Sequence, residues 1–487
     1  MRLFKRTSSL ALIGFVALVT SAVAGSVGLA PAGAASVHAV GYQVGATFTG
    51  PITTGHIIEP VSAVNPSLST YGYEEQEYFA SGTANAYKAT STPSNGKWTI
   101  KPSSSAFYRT RILVRRPQNP ADFNGTVVVE WMNVSFAEAA PDWDYLNPSL
   151  MKAGYAYVAV STQALAINGG QGIVSTTKTT GLKTAEPARY GTLVHPGDQY
   201  ALDMFDQIGK GLDTKGASVL GGLHPSHIVA VGESQSAYYL TTFADTLQPL
   251  SHTFDGIFIH SRGGSGVPLN GSSITSKSSQ QGPPNLHIRT DLTVPVFMFE
   301  TQTDLIQLGY APAQQPNTKR IRTWEVAGTS HADTYEVGAE APALGCSTPI
   351  NSGPQHIVVQ AAFAAFAAWV DKGTPPPTPP PFKLSRTKPA VLALDKNGNV
   401  IGGVRTPAVD VPVSTLSGAA PPHSSLLCEL FGSTKAFNAQ QLVALYQTKS
   451  NYIAKYTASL DKAIAGGYIL PADRAGLLAQ AEAVQFP

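Results

Sequence analysis

The sequence predicts an α/β fold in which a mostly parallel central sheet is flanked by helices. Three observations carry that expectation. Short β-rich runs alternate with helix-period segments through the middle of the chain, as strands joined by helical crossovers do. A β-branched run at Thr126, Val127, Val128 and Val129 reads as a central strand. An apolar strand ending at Val231 turns through a serine and opens directly into a helix at Ala237.

The elements follow in chain order. Arg2, Lys5 and Arg6 precede an apolar stretch at 10–23, and small residues cluster at 22–24 and 32–35, the pattern of an export signal. Gly14, Thr20 and Ser21 interrupt a stretch already short for a membrane span, so cleavage is expected over anchoring. Residues 1–35 are therefore set apart as signal. Residues 36–487 are expected to form one domain with β-rich N-terminal decoration and a C-terminal extension, 373–487. Strands are predicted at 108–115, 126–129, 155–160, 227–231, 254–259, 294–299 and 322–326, and a helix at 201–212.

Two long segments, 165–197, rich in Gly and Thr, and 261–284, rich in Ser and Gly, are expected to be loops, either binding loops or lids or simple surface decoration. The apolar run 361–370 follows Pro354 and carries Trp369, which predicts a buried helix. Residues 373–381 form a stiff polyproline spacer. Beyond it, 391–404 reads as a hairpin turning at Asp395-Lys396-Asn397-Gly398-Asn399. That turn superficially resembles a calcium loop, but Thr406 stands where the closing glutamate belongs, so a tight turn is expected. A helical, amphipathic tail covers 440–483.

Bulk properties exclude several classes. The formal net charge is +2 and charged residues are 13% of the chain, with no basic run after the signal, so no nucleic-acid partner is expected. No second stretch is long enough to cross a bilayer, so no stable membrane insertion is expected after signal cleavage. Cys346 and Cys428 are the two cysteines, and a lone pair in an exported chain predicts a disulfide. It would tie the end of the catalytic region to the C-terminal segment. Neither has a partner at zinc spacing, so no metal is expected.

The sharpest motif is Gly232-Glu233-Ser234-Gln235-Ser236, between the strand Ile228-Val229-Ala230-Val231 and the helix opening at Ala237. A strand–serine–helix turn of this kind is a nucleophile elbow, a strained bend that lifts the hydroxyl above the sheet edge. Small flanking residues are required there; Gly232 fits, and Ser236 stands where a glycine is usual. The elbow implies an acid and then a histidine downstream. Asp304, in the turn after the 294–299 strand, is the first choice of acid and Glu300 the reserve. His331, in the loop after the last strand and loosened by Gly328, is the expected base. Oxyanion donors are expected from the Gln235 amide and from Asn133 or Val134 after the central strand. Trp131, His260 and Arg262 are candidates to line a substrate pocket, with Trp143 and Tyr238 as further aromatic walls. Core packing accounts for the aromatic residues equally well, and a surface ion pair for Arg262. Asp333 reads as a turn or cap residue.

Several segments resemble a bacterial group of α/β-hydrolase domain-containing proteins within the α/β-hydrolase superfamily. They are Phe123-Asn124-Gly125 through Glu130-Trp131-Met132-Asn133-Val134-Ser135, Ala188-Arg189-Tyr190-Gly191 with His195-Pro196-Gly197-Asp198, residues 232–236, and His260-Ser261-Arg262-Gly263. Residues 346–354 and Cys428-Glu429-Leu430-Phe431-Gly432 complete the set. The resemblance spans most of the chain after the signal and implies an α/β-hydrolase fold, hydrolytic chemistry, and a C-terminal region integral to the architecture.

These readings converge on a secreted serine hydrolase acting on a small-molecule carboxylic ester through an acyl-enzyme, with no cofactor. Amides, thioesters and acyl transfer would use the same residues. A rival reading is a secreted binding protein on an inactive hydrolase scaffold. Candidates for serine, acid and histidine are all present, which favours the enzyme.

Overall fold

The computed structural model describes residues 44–486 apart from 62–64, 176 and 275–281, and apart from the side chains of 215 and 217. The expected export signal at 1–35 lies outside the described residues. The main sheet contains β1 (Thr47–Thr49), β2 (Tyr73–Ser91), β3 (Thr99–Pro117), β4 (Thr126–Trp131) and β5 (Ala156–Val160). It continues with β6 (His227–Glu233), β7 (Gly256–His260), β8 (Val296–Glu300) and β9 (Ile321–Glu325). Spatial order is β1-β2-β3-β5-β4-β6-β7-β8-β9. From β5 to β9 every neighbouring pair is parallel, while β1, β2 and β3 add an antiparallel flank.

Helices cover both faces: α1 (Pro141–Lys152), α2 (Ala201–Lys215), α3 (Gln235–Thr246), α4 (Gln302–Ile306) and α5 (Gln355–Lys372). Parallel strands buried on both faces are near-continuous apolar runs, and β4, polar in its core only at Glu130, shows why. Val127, Val129 and Trp131 point into the core that includes Phe205 of α2 and Phe243 of α3. Val128 points the other way, into the core shared with Leu146 of α1 and Phe363 of α5. Together these two layers make the bulk of the hydrophobic stabilisation.

β2 and β3 form an antiparallel hairpin of 19-residue strands, of which only the 108–115 portion of β3 was expected. A buried ion network holds the hairpin to the 165–197 segment. Glu77 on β2 meets Arg111 on β3 and Arg189, and Tyr190 donates its hydroxyl proton to Glu77. That segment is therefore not an open loop. It carries the short helices Ala164–Asn168, Leu182–Ala185 and Pro187–Tyr190 and a two-stranded ladder, Gly170–Gln171 with Lys178–Thr179. Residues 261–284 are likewise anchored where described, through buried Val267 and Leu269.

The C-terminal region packs on the body through α6 (Leu426–Phe431), α7 (Ala439–Tyr446), α8 (Lys449–Ala465) and α9 (Arg474–Ala483). Ile357 of α5 meets the cluster of Leu460, Ala463, Ile469 and Leu477, and Trp324 of β9 lies edge-on to Tyr468. Cys346 and Cys428 are joined in a disulfide. The 395–399 turn is closed by Asp395, whose carboxylate accepts from the Asn397 and Asn399 amides. Among the described residues no helix is long and apolar enough to cross a membrane.

Candidate active site

The strand order reverses at β4: the chain steps from β4 out to β5, then returns to place β6 on the other side of β4. Such a switch point opens a crevice at the carboxyl ends of the strands. Two segments leave the sheet there, the turn after β4 and the bend after β6. Ser234 sits on that bend at φ 57°, ψ −121°, a conformation L-residues avoid, and it caps the start of α3. The bend is crowded: a Cβ on Gly232 would lie 3.0 Å from both Leu240 Cδ1 and Ser236 Cβ. A side chain at 232 would have to displace these neighbours, so glycine fits the bend best, and Ser236 fits as a small buried residue.

Ser234 Oγ lies 2.8 Å from His331 Nε2, and His331 Nδ1 lies 2.7 Å from Asp304 Oδ1. Asp304 is held in turn by a capping box: its second oxygen accepts from the Thr301 amide at 2.6 Å and the Thr301 hydroxyl at 2.8 Å. The loops carrying acid and histidine are bonded to each other, since the His331 amide donates to Thr303 Oγ1 and the Gln302 amide to the Thr329 carbonyl. Gly328 turns the chain at φ 81° on the way to His331. The structure thus brings Ser234, His331 and Asp304 into one hydrogen-bonded row. The imidazole meets Asp304, not the reserve acid Glu300, which is buried at the end of β8.

Gln235 is the first residue of α3, so its amide belongs to a helix N-terminus, where backbone N–H groups lack partners and the dipole favours negative charge. Of the two expected donors after β4, Asn133 is corrected: its amide donates to the Ala139 carbonyl at 2.9 Å and is spent. Val134 is left as the candidate in that turn. The 165–197 segment borders the turn, because the Val174 amide donates to the Ser135 carbonyl.

Three expected pocket residues are corrected. The Trp131 ring is fully buried, stacked on Tyr239 at 4.6 Å and donating to Gln163. Arg262 is fully buried, donating to the Gly263 and Leu286 carbonyls with its guanidinium over the Tyr310 ring. His260 is fully buried, with Nδ1 2.9 Å from Asp142 Oδ1. A side chain without exposed surface cannot meet substrate, so these residues build the floor beneath the elbow; the His260 carbonyl accepts the Ser234 amide. Trp143 is also buried, under the Arg115 guanidinium. Asp333 caps the short helix Thr334–Val337, as expected.

Sequence reasoning missed Glu233 and Thr301. Glu233 Oε1 lies 3.3 Å from His331 Nε2. Burial, then Glu336, Asp142, Asp304 and Glu130, push its carboxyl well above the usual range. For Thr301 a signal existed, the Thr-x-x-Asp spacing of a capping box at 301–304. A cavity of about 360 Å³ bounded by Tyr310, Gln314, Glu325 and Phe382 does not include Ser234 or His331.

A family model described as an alpha/beta hydrolase domain matches residues 48–479. The chain is also similar to solved esterases. One of two fungal esterases from Rhizomucor miehei is 14% identical over 60% of this chain and 85% of its own, with a TM-score of 0.31. Thermogutta terrifontis esterase 2, phosphoramylated by tabun, is 14% identical over 61% and 97%, at 0.30. A lipase/esterase from Lactobacillus plantarum is 15% identical over 47% and 86%, at 0.26. Likenesses this distant carry no functional argument of their own. No curated protein matches the chain.

Proposed function

This chain belongs to the α/β-hydrolase domain family, and on that premise we propose that it is an exported serine hydrolase that cleaves carboxylic esters of small molecules. The observation that carries the reading is the row Ser234 Oγ–His331 Nε2–Asp304, at 2.8 and 2.7 Å, on a strained bend. A serine hydroxyl is a weak nucleophile until an imidazole accepts its proton. In this reading His331 takes that proton as Ser234 Oγ attacks the ester carbonyl. Asp304 keeps Nδ1 protonated and stabilises the imidazolium. The oxyanion meets the amides of Gln235 and Val134, donors of a kind worth about 2.7–4 kcal/mol each. Collapse expels the alcohol, which takes the proton from His331, and water repeats the sequence to release the acid.

Export rests on the signal pattern at 1–35, and the Cys346–Cys428 disulfide supports an oxidising destination. We treat 36–487 as one domain whose extension from 373 is tied back by that bridge. The test is turnover of p-nitrophenyl esters of short and long acyl chains by the wild type and Ser234→Ala. Hydrolysis by the wild type and none by the variant is expected. Silence across the panel, or equal rates in both proteins, would overturn the reading.

A further inference from the structure

Glu233 ends β6 and directly precedes Ser234, yet the chemistry above does not use it. Its carboxyl meets both halves of the site. One oxygen lies 3.3 Å from His331 Nε2, the nitrogen that faces Ser234 Oγ. The other accepts from Asn133 Nδ2 at 3.3 Å, and the same side-chain amide donates to the Glu233 carbonyl at 3.2 Å. Asn133 is held on its remaining sides. Its backbone N–H and C=O both pair with Ala139 at 2.9 Å, and its Oδ1 accepts from the Ser135 amide at 2.6 Å. Residues 133–139 therefore form a closed turn that includes Val134 and is tethered to the elbow through Glu233.

The groups facing the Glu233 carboxyl are Glu336 from the short helix, Asp142 of α1, Asp304 of α4, Glu130 of β4, and the His331 imidazole. Four are carboxyls, so the cation that can form among them is the imidazolium. When Ser234 gives up its proton, the Nε2–H so formed has a Glu233 oxygen 3.3 Å away as an acceptor, while Asp304 holds Nδ1.

We propose that Glu233 is a positioning residue that holds the His331 ring on one side and the Val134-bearing turn on the other, keeping base and oxyanion donor in register with the nucleophile. This rests on the serine-hydrolase reading. The test uses the full chain and the variants Glu233→Gln, Glu233→Ala and Asn133→Ala, assayed by ester turnover and fluorophosphonate labelling. Glutamine keeps a carbonyl for Asn133 but loses the acid, and alanine loses both.

Glu233→Ala and Asn133→Ala are expected to lower kcat by about 10- to 100-fold with little change in KM. The double variant is expected to be no slower than the worse single, since both cut one tether. Glu233→Gln recovers most of kcat, because its carbonyl still accepts from Asn133. If Glu233→Ala does not fold, the kcat values of Asn133→Ala and of Glu233→Gln decide the matter. Near-wild-type kcat in both alanine variants overturns the proposal, as does a Glu233→Gln variant as slow as Glu233→Ala. A wild type that neither turns over esters nor labels sinks the serine-hydrolase reading and this one with it. An active wild type with indifferent variants sinks the tether alone.

Discussion

Two histidine–aspartate pairs stand at the carboxyl edge of one sheet, at nearly the same separation: His331–Asp304 at 2.7 Å and His260–Asp142 at 2.9 Å. They differ in what the second ring nitrogen faces. His260 is the last residue of β7, so its ring stays in the packed layer, edge-on to Phe258, Phe299 and Tyr145, with Nε2 near the Gln355 amide. His331 stands beyond β9 on a loop turned by Gly328, and its Nε2 faces a hydroxyl. The lesson is that a histidine–carboxylate pair becomes a candidate base only when a loop lifts it past the sheet edge. Pair distance alone does not discriminate.

The comparison can be broken most sharply at the reacting groups. Ser234→Ala and His331→Ala are expected to lower kcat by roughly 10⁴- to 10⁶-fold, and Asp304→Asn by about 10⁴-fold. A melting temperature near the wild type is expected for Ser234→Ala, and a smaller stability loss for His331→Ala than for His260→Ala, because Asp304 keeps its two Thr301 donors. Esterase assays and thermal melts on the same preparations check this. His260→Ala should do the reverse. It strands the buried Asp142 carboxylate, costing about 3–5 kcal/mol in denaturant titrations, while kcat of the folded fraction stays within about tenfold. A large kcat loss in a fully stable His260→Ala protein would erase the distinction between the pairs.

A third test concerns what holds the lifted loop. The Ala332 amide donates to the Leu430 carbonyl and Ser330 Oγ to the Phe431 carbonyl, so α6 braces the His331 loop, and the disulfide anchors α6. Replacing both cysteines by serine is expected to cost about 2–5 kcal/mol. Denaturant titration measures it, and an unchanged midpoint would show that α6 needs no bridge.

The smallest effect is the pH dependence of Asp333 and Glu336, just past His331, and of His356, stacked on Tyr335. Burial raises Asp333 to about 7 and Glu336 to about 8, and lowers His356 to about 4. A raised carboxyl binds protons better folded than unfolded, so its stabilisation is lost as pH rises through the folded value. A lowered histidine acts oppositely: its stabilisation is lost as pH falls from about 6.5 toward 4. Below about 6.5 the two oppose each other; from there to about 8 the carboxyls act alone. The melting temperature should therefore fall between those values, and Asp333→Asn with Glu336→Gln should flatten the fall. A rising curve would contradict the assignment.

How much of this was legible in the sequence follows from chain distance. The elbow is readable because strand, bend and helix are consecutive, and β4 because its residues are β-branched and buried on both faces. The β2 strand is hidden: Glu74, Glu75, Gln76 and Glu77 blur its alternation, and Glu77 is buried only because Arg111 and Arg189 arrive from elsewhere. Glu300 ends β8 and Asp304 lies just beyond it, and the Thr301 cap, not position, orients the latter. Trp131 and His260 end strands and Arg262 follows one, which makes them candidates to line the site, yet each side chain is fully buried. The Asn133 amide is lost to a turn that closes at Ala139, which no local pattern announces.

The most direct measurement is the site of covalent modification. Wild type, Ser234→Ala, His331→Ala and His260→Ala are treated with a fluorophosphonate and digested, and the adduct is located by mass spectrometry. A single adduct on Ser234 is expected, absent in Ser234→Ala, strongly slowed in His331→Ala and formed at near-normal rate in His260→Ala. An adduct of equal yield in Ser234→Ala, or one that depends on His260 and not His331, would contradict the account.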